Sequence, residues 1–279
     1  MALFSFLLIQ ACTRKTENQL HVDVEIQVLT DQNIADSEMD DVASIYTEIL
    51  SVLAKKMEAG RDTTFEYDQC ASVTTQIVEK KLTVDFGASG CLGRDGRTRK
   101  GKYVITYTSQ FFAVGAVVYV AFQNYEVKRT RSQVFVRIDN NSTFRQETIE
   151  MMSGGSFRFT RTMNARLNFA DGSAFTWQGA RQIIWLSLAI SNRFEYDWTT
   201  DTTSTGSGTS RKGNNFTLKF MSPIQVLGQC MGQGINRPVR GKLAVNSSGT
   251  TRSIDFGDGS CTGQVETVVN GVSRTMVLP

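Results

Sequence analysis

Two matching phrases set a carboxylate six residues ahead of a cysteine: Asp85-Phe86-Gly87 before Cys91, and Asp255-Phe256-Gly257 before Cys261. Each of these cysteines has an earlier companion, Cys70 standing 21 residues before Cys91 and Cys230 standing 31 before Cys261. Thiols paired in this way suggest crosslinking in an oxidising compartment. The stretch inside each pair reads as a hairpin. Val73–Val78 and Leu82–Phe86 flank polar Glu79-Lys80-Lys81, while Lys242–Val245 and Arg252–Phe256 flank Asn246-Ser247-Ser248-Gly249. Folding back at either midpoint brings the local cysteines together, which predicts Cys70–Cys91 and Cys230–Cys261, each contributing about 3 kcal/mol. Four cysteines allow three connectivities, so pairing across the copies remains the alternative.

Other chemistries fare less well. Asp-Phe-Gly is also the magnesium-binding triplet of protein kinases, but no kinase Gly-rich loop, strand lysine or catalytic loop accompanies it. It reads instead as a strand-ending corner: phenylalanine inward, glycine in the turn, aspartate bonded to nearby amides. His21 is the only histidine, at the start of an apolar alternation, which disfavours Ser-His-Asp, Cys-His and zinc chemistry. Asp255 and Asp258 lack the spacing of a calcium loop, and no phosphate loop or dinucleotide fingerprint occurs. The 27 acids could supply a pair for glycan hydrolysis, but nothing singles one out. No catalytic residue, metal ligand or cofactor is assigned. One charged cluster stands out. Arg94, Arg97, Arg99, Lys100 and Lys102 face a single acid, Asp95, and the matching stretch of the second copy carries no base. That cluster is a candidate anion site for lipid headgroups or acidic glycans, with a solvated loop as the plain reading. A net charge of +3 gives no case for nucleic acid.

The elements that must position these groups are mostly strands. Glycine is plentiful (23), proline is scarce (3), and Thr, Val, Phe and Tyr recur. Residues 1–11 form a short apolar run suited to a signal peptide, and Ile9-Gln10-Ala11-Cys12 resembles a lipobox with Cys12 as the lipidated residue. Residues 12–66 hold an expected strand, Val22 to Val28, and a helix. That helix is expected to be opened by Ser37 and Asp40, striped by Val42, Ile45, Tyr46, Ile49, Val52 and Leu53, and closed at Gly60. Residues 67–279 form an all-β domain, with repeat units at about 70–108 and 230–279 that also align Gly101 with Gly271. In Phe157–Phe169 one parity is apolar with a single intruder, Arg161. A three-residue turn with Gly172 left-handed then sets Leu167 opposite Phe175 and Ala165 opposite Trp177. Residues 199–215, rich in Thr, Ser and Gly, are a mobile loop or an exposed hairpin. The fold class is mostly all-β: a long antiparallel meander forming a twisted sandwich or an open barrel-like sheet, with one N-terminal helix.

The segments LTVDFGASGCLGRDGRTRKGKYVITYT, VYVAFQNYEV, LNFADGSAFTW and RSIDFGDGSCTG resemble a group of uncharacterised Bacteroidota lipoproteins that share the Asp-Phe-Gly…Cys corner and a Gly-Arg-Thr-Arg-x-Gly-Lys run. The resemblance covers about residues 67–279. It implies a lipid-anchored all-β envelope protein and brings no activity with it. The expectation is an outer-membrane lipoprotein facing periplasm or cell surface, held to the membrane through Cys12 and serving as a non-catalytic binding or structural module. Its alternatives are a carrier of an amphipathic ligand, with an open apolar cavity lined by Phe157, Phe159, Trp177 and Trp185, and a carboxylate-based glycan hydrolase.

Overall fold

The computed structural model describes residues 17–54, 62–109, 112–129, 135–186, 192–235, 237–269 and 271–277. Strand parity organises it. In β9 (Phe157–Asn168) odd positions are buried, while the even ones are half-buried or exposed. β10 (Ala174–Trp185) pairs antiparallel with it, Leu167 opposite Phe175 and Ala165 opposite Trp177. The Phe169 amide donates to the Ser173 carbonyl at 3.0 Å, which leaves a three-residue loop with Gly172 at φ 81°. The register read from the sequence is the observed one.

The remaining strands continue this meander. β1 (Thr64–Tyr67), β2 (Ala71–Gln76) and β3 (Lys81–Asp85) lead to β5 (Thr98–Tyr107), while short β4 (Cys91–Leu92) extends the line of β3. β6 (Val117–Lys128) comes next, and β7 (Phe135–Ile138) and β8 (Thr143–Met151) share one place between β6 and β9. Beyond β10, β11 (Trp198–Thr200) and β12 (Thr205–Thr209) share a place, followed by β13 (Asn215–Phe220) and β14 (Ile224–Val226). β15 (Arg240–Ser247), β16 (Thr250–Asp258), β17 (Gln264–Val269) and β18 (Val272–Val277) complete one eighteen-stranded sheet. The Thr/Ser/Gly-rich stretch is therefore a hairpin, β12–β13. On β9 and β10 the outward residues are mostly polar: Thr160, Thr162, Asn164, Arg166, Thr176, Gln178 and Gln182. Those strands lack the apolar outer band of a membrane barrel. No described helix is long and apolar enough to cross a membrane.

The helix departs from expectation. α1 runs unbroken from Glu17 to Ala54, about 57 Å at 1.5 Å per residue. The expected strand at 22–28 is therefore helical. Residues two apart lie about 200° apart on a helix, so the alternation there makes no single apolar stripe. Val28 and Leu29 are fully buried. Ser37 does not start the helix; its hydroxyl donates back to the Ile34 carbonyl at 3.2 Å, within a continuing turn. Every residue from Asp41 to Ser51 is buried. The sheet thus curls around the helix instead of offering it one face, and the two share a single apolar core. Gly60 and Cys12 lie outside the described residues.

Both corners form as expected. Disulfides join Cys70 to Cys91 and Cys230 to Cys261. Asp85 accepts the Gly87 amide at 2.8 Å and Asp255 the Gly257 amide at 3.0 Å, with both glycines at positive φ. Phe86 and Phe256 are buried, Phe86 against Tyr103 and Tyr125. The equivalence of the copies ends there. Gly101 sits in a bulge of β5 at φ 69°, where a Cβ would lie 2.1 Å from the Asn124 carbonyl oxygen, whereas Gly271 lies in the β17–β18 turn. The element that does recur is a base-Gly-Lys bulge facing the aspartate. It is Lys100-Gly101-Lys102 on the strand after Asp85, and Arg240-Gly241-Lys242 on the strand before Asp255. Replacing Cys70 and Cys91 together by serine is expected to lower the unfolding free energy by about 3 kcal/mol in urea titration.

Candidate functional site

Inside the curl, acids of the helix meet arginines of the wall. Asp36 accepts two contacts from Arg181 Nη2, at 3.0 and 3.2 Å. Asp40, one turn on, pairs with Arg161, whose Nε and Nη2 also donate to Gln146 Oε1. On another side of α1, Glu38 accepts from Arg97 at 3.1 Å and from Arg129 at 2.9 Å. Asp41 accepts from Arg99 at 2.6 Å, and Arg99 also reaches Asp95 at 2.5 Å. Near the C-terminal end of α1, Glu48 accepts from Arg94 at 2.9 Å and from the Tyr67 hydroxyl at 2.5 Å. Near the other end, Asp31 faces Arg211 at 3.7 Å.

The wall is shaped around these guanidiniums. Arg181 lies over the Trp177 and Phe220 rings, 5.0 and 4.4 Å from their centroids. A Cβ at Gly179 or Gly206 would come within 3.2 or 3.3 Å of its Nη1, so glycine leaves room for that guanidinium on two neighbouring strands. Arg99 and Asp41 are removed from water, at 1% and 0% side-chain exposure. Such pairs do little for stability relative to apolar residues of the same shape, but breaking one costs heavily. Burial dominates the acids' titration. It pushes Asp36 and Asp40 above the usual carboxylate range against the pull of Arg181 and Arg161. It also pushes Asp31 up to about 6 despite Arg211. With Asp31, Asp36, Glu38, Asp40, Asp41 and Glu48 each set against a guanidinium, the arrangement fixes the rotation and height of the described part of the helix.

The expected anion cluster is divided between two faces of the wall. Arg97 and Arg99 are buried against Glu38, Asp41 and Asp95, and Arg94 spans Glu48 and Asp68. The anion they hold is the chain's own helix. This corrects the picture of an exposed corner. Lys100 lies over the Phe135 ring at 4.3 Å, and Lys102 pairs in the ladder with Asp85. The helix acids and Arg129, Arg181 and Arg211 were not among the sequence candidates. One signal pointed to them: Arg161 on the apolar parity of β9, where an unpaired charge could not stay buried. Phe157, Phe159 and Trp185 pack with Tyr196 and Trp198 in one cluster, and Trp177 belongs to the main core. Phe157, Phe159, Trp177 and Trp185 are all buried, and Trp177 also borders a depression on the outer face of the sheet. Among the described residues no cluster of His, Cys, Asp and Glu could hold a metal ion.

No protein family, curated protein or solved structure matches the chain.

Two outcomes follow from the ion pairs. Arg99→Met removes the closest cation from buried Asp41 and Asp95, leaving them Arg97 at 3.8 Å, and is expected to cost about 3–5 kcal/mol, whereas Arg145→Met, which breaks a half-exposed pair with Glu147, should cost under about 1 kcal/mol. Urea titration distinguishes them. Because the folded-state pKa of Asp31 is raised, the protein binds that proton more tightly folded than unfolded. Its contribution to stability is fully present below the unfolded value of 3.8 and is lost as pH rises through about 6. Asp31→Asn should therefore remove a component of stability that grows on acidification across this window, read as the difference between the two proteins' stability–pH curves.

Proposed function

We propose that this chain is a non-catalytic module of a bacterial cell envelope, anchored by lipid on Cys12, whose folded body binds or braces through its outer surface. The observation that carries the reading is the filled interior. The helix occupies the space that a carrier would keep for its ligand, and its acids are neutralised where a hydrolase would expose them. Two disulfides support an oxidising compartment, which suits a protein exported past the cytoplasm. The resemblance to Bacteroidota lipoproteins supports the same compartment and the same anchor. A tether at Cys12 leaves the folded body soluble at the membrane surface, and stable attachment needs more than one acyl chain.

Labelling with radioactive palmitate in a bacterial host tests the anchor. The wild-type chain is expected to take up label and sediment with membranes, while Cys12→Ala remains unlabelled and soluble. A wild-type chain without label, recovered in the soluble fraction, would remove the anchor and with it the envelope reading.

A further inference from the structure

We propose that the outer face of the sheet carries a groove for a neutral, β-linked oligosaccharide, crossing β9, β10, β12 and β13. The inference rests on the binding-module reading and gives it a ligand class. Two adjoining depressions of about 370 and 360 Å³ lie there, and Asn164, Gln178 and Ser207 line both. These volumes fall in the range of small-ligand sites. Ser207 is half-buried between exposed Gln178 and Thr217. It belongs to a strand reading Thr-Gly-Ser-Gly-Thr, whose glycines fall on the inner parity, level with Trp177, Phe216 and Leu218. A Cβ at Gly208 would lie 2.0 Å from the Thr176 carbonyl oxygen and 2.8 Å from the Phe216 ring, so β12 is set close against β10 and β13.

The register gives the groove a direction. Thr143, Asn164, Gln178, Ser207, Thr217 and Asn246 are cross-strand partners in one continuous row, each about 4.8 Å from the next. That row carries no charge, although charged residues make up 20% of the chain and protein surfaces normally intersperse both signs. A phosphate or uronate would find no counter-charge in it. Hydroxyl and amide side chains each both donate and accept, as sugar hydroxyls do. One pyranose ring advances about as far as one strand spacing, so an extended β-linked chain can meet a fresh side chain at each sugar. The row is also partly pre-set, because Gln178 Nε2 donates to Ser207 Oγ at 3.1 Å and leaves the serine hydroxyl able to donate in turn. By contrast, the depression beside the second corner is lined by Arg240, Lys242 and Asp255, with Lys242 closed onto Asp255 at 2.9 Å. It offers a control position outside the row.

Titration calorimetry of the folded protein with cellohexaose, laminarihexaose and β-mannohexaose tests the groove. Saturable binding of at least one is expected. Gln178→Ala and Ser207→Arg should each weaken it about tenfold or more, as expected when hydrogen bonds to the sugar are lost, while Lys242→Ala leaves it unchanged. All three positions face outward, and unchanged melting temperatures confirm folding. If Ser207→Arg does not fold, Asn164→Ala takes its place. Binding of none of the three sugars, tighter binding of a uronate hexamer, or full affinity in the row variants would overturn the proposal. If these sugars fail to bind while Cys12 is labelled, the envelope reading stands without this groove. If they bind while Cys12 stays unlabelled, the groove stands and the anchor falls.

Discussion

The structure depends on charge balance in a space largely removed from water. A helix carrying Asp36, Glu38, Asp40, Asp41 and Glu48 could not be covered on every side unless the covering wall brought the opposite charge. Arginine suits that task because its planar fork can serve two acceptors at once. Arg99 does so with Asp41 and Asp95, and Arg161 with Asp40 and Gln146. Other features yield to this requirement. Glycines open the wall beside Arg181, and aromatic faces lie beneath guanidiniums at Trp177, Phe220 and Phe144. The first corner, too, turns its bases inward.

A body filled in this way has its useful surface outside. The long strands present hydroxyls, amides and scattered charges outward, and the concavities among the described residues at the β10–β12–β13 wall and beside the second corner open on that face. Recognition by such a surface relies on rigid placement of many modest hydrogen bonds, and a wall bonded at its back to a central helix supplies that rigidity. Interior charge and exterior binding are linked through stiffness.

Much of the fold could be read from local sequence, because parity, turn residues and cysteine spacing act over short distances. The β9–β10 register followed from Leu167, Ala165, Phe175 and Trp177 with Gly172 between the strands. The corners followed from Asp-Phe-Gly, and the crosslinks from hairpins that bring their ends together. What stayed hidden was non-local. The alternation near Val24 mimics a strand, yet that stretch belongs to the unbroken α1. The partners of the helix acids lie far along the chain, Asp40 being separated from Arg161 by 121 residues and Asp36 from Arg181 by 145. No window of local pattern can join such residues. Arg161 showed that some anion had to be near; it did not show which one.

The enclosure of α1 has a consequence for how the molecule is made. The helix lies ahead of every strand in the chain, yet its charged partners are spread from Arg94 to Arg211, so its electrostatic seat is not complete until most of the wall exists. Contacts of such sequence separation form late and slowly. The ion pairs therefore lock the N-terminal rod in place only once the wall that carries Arg94 to Arg211 has formed around it.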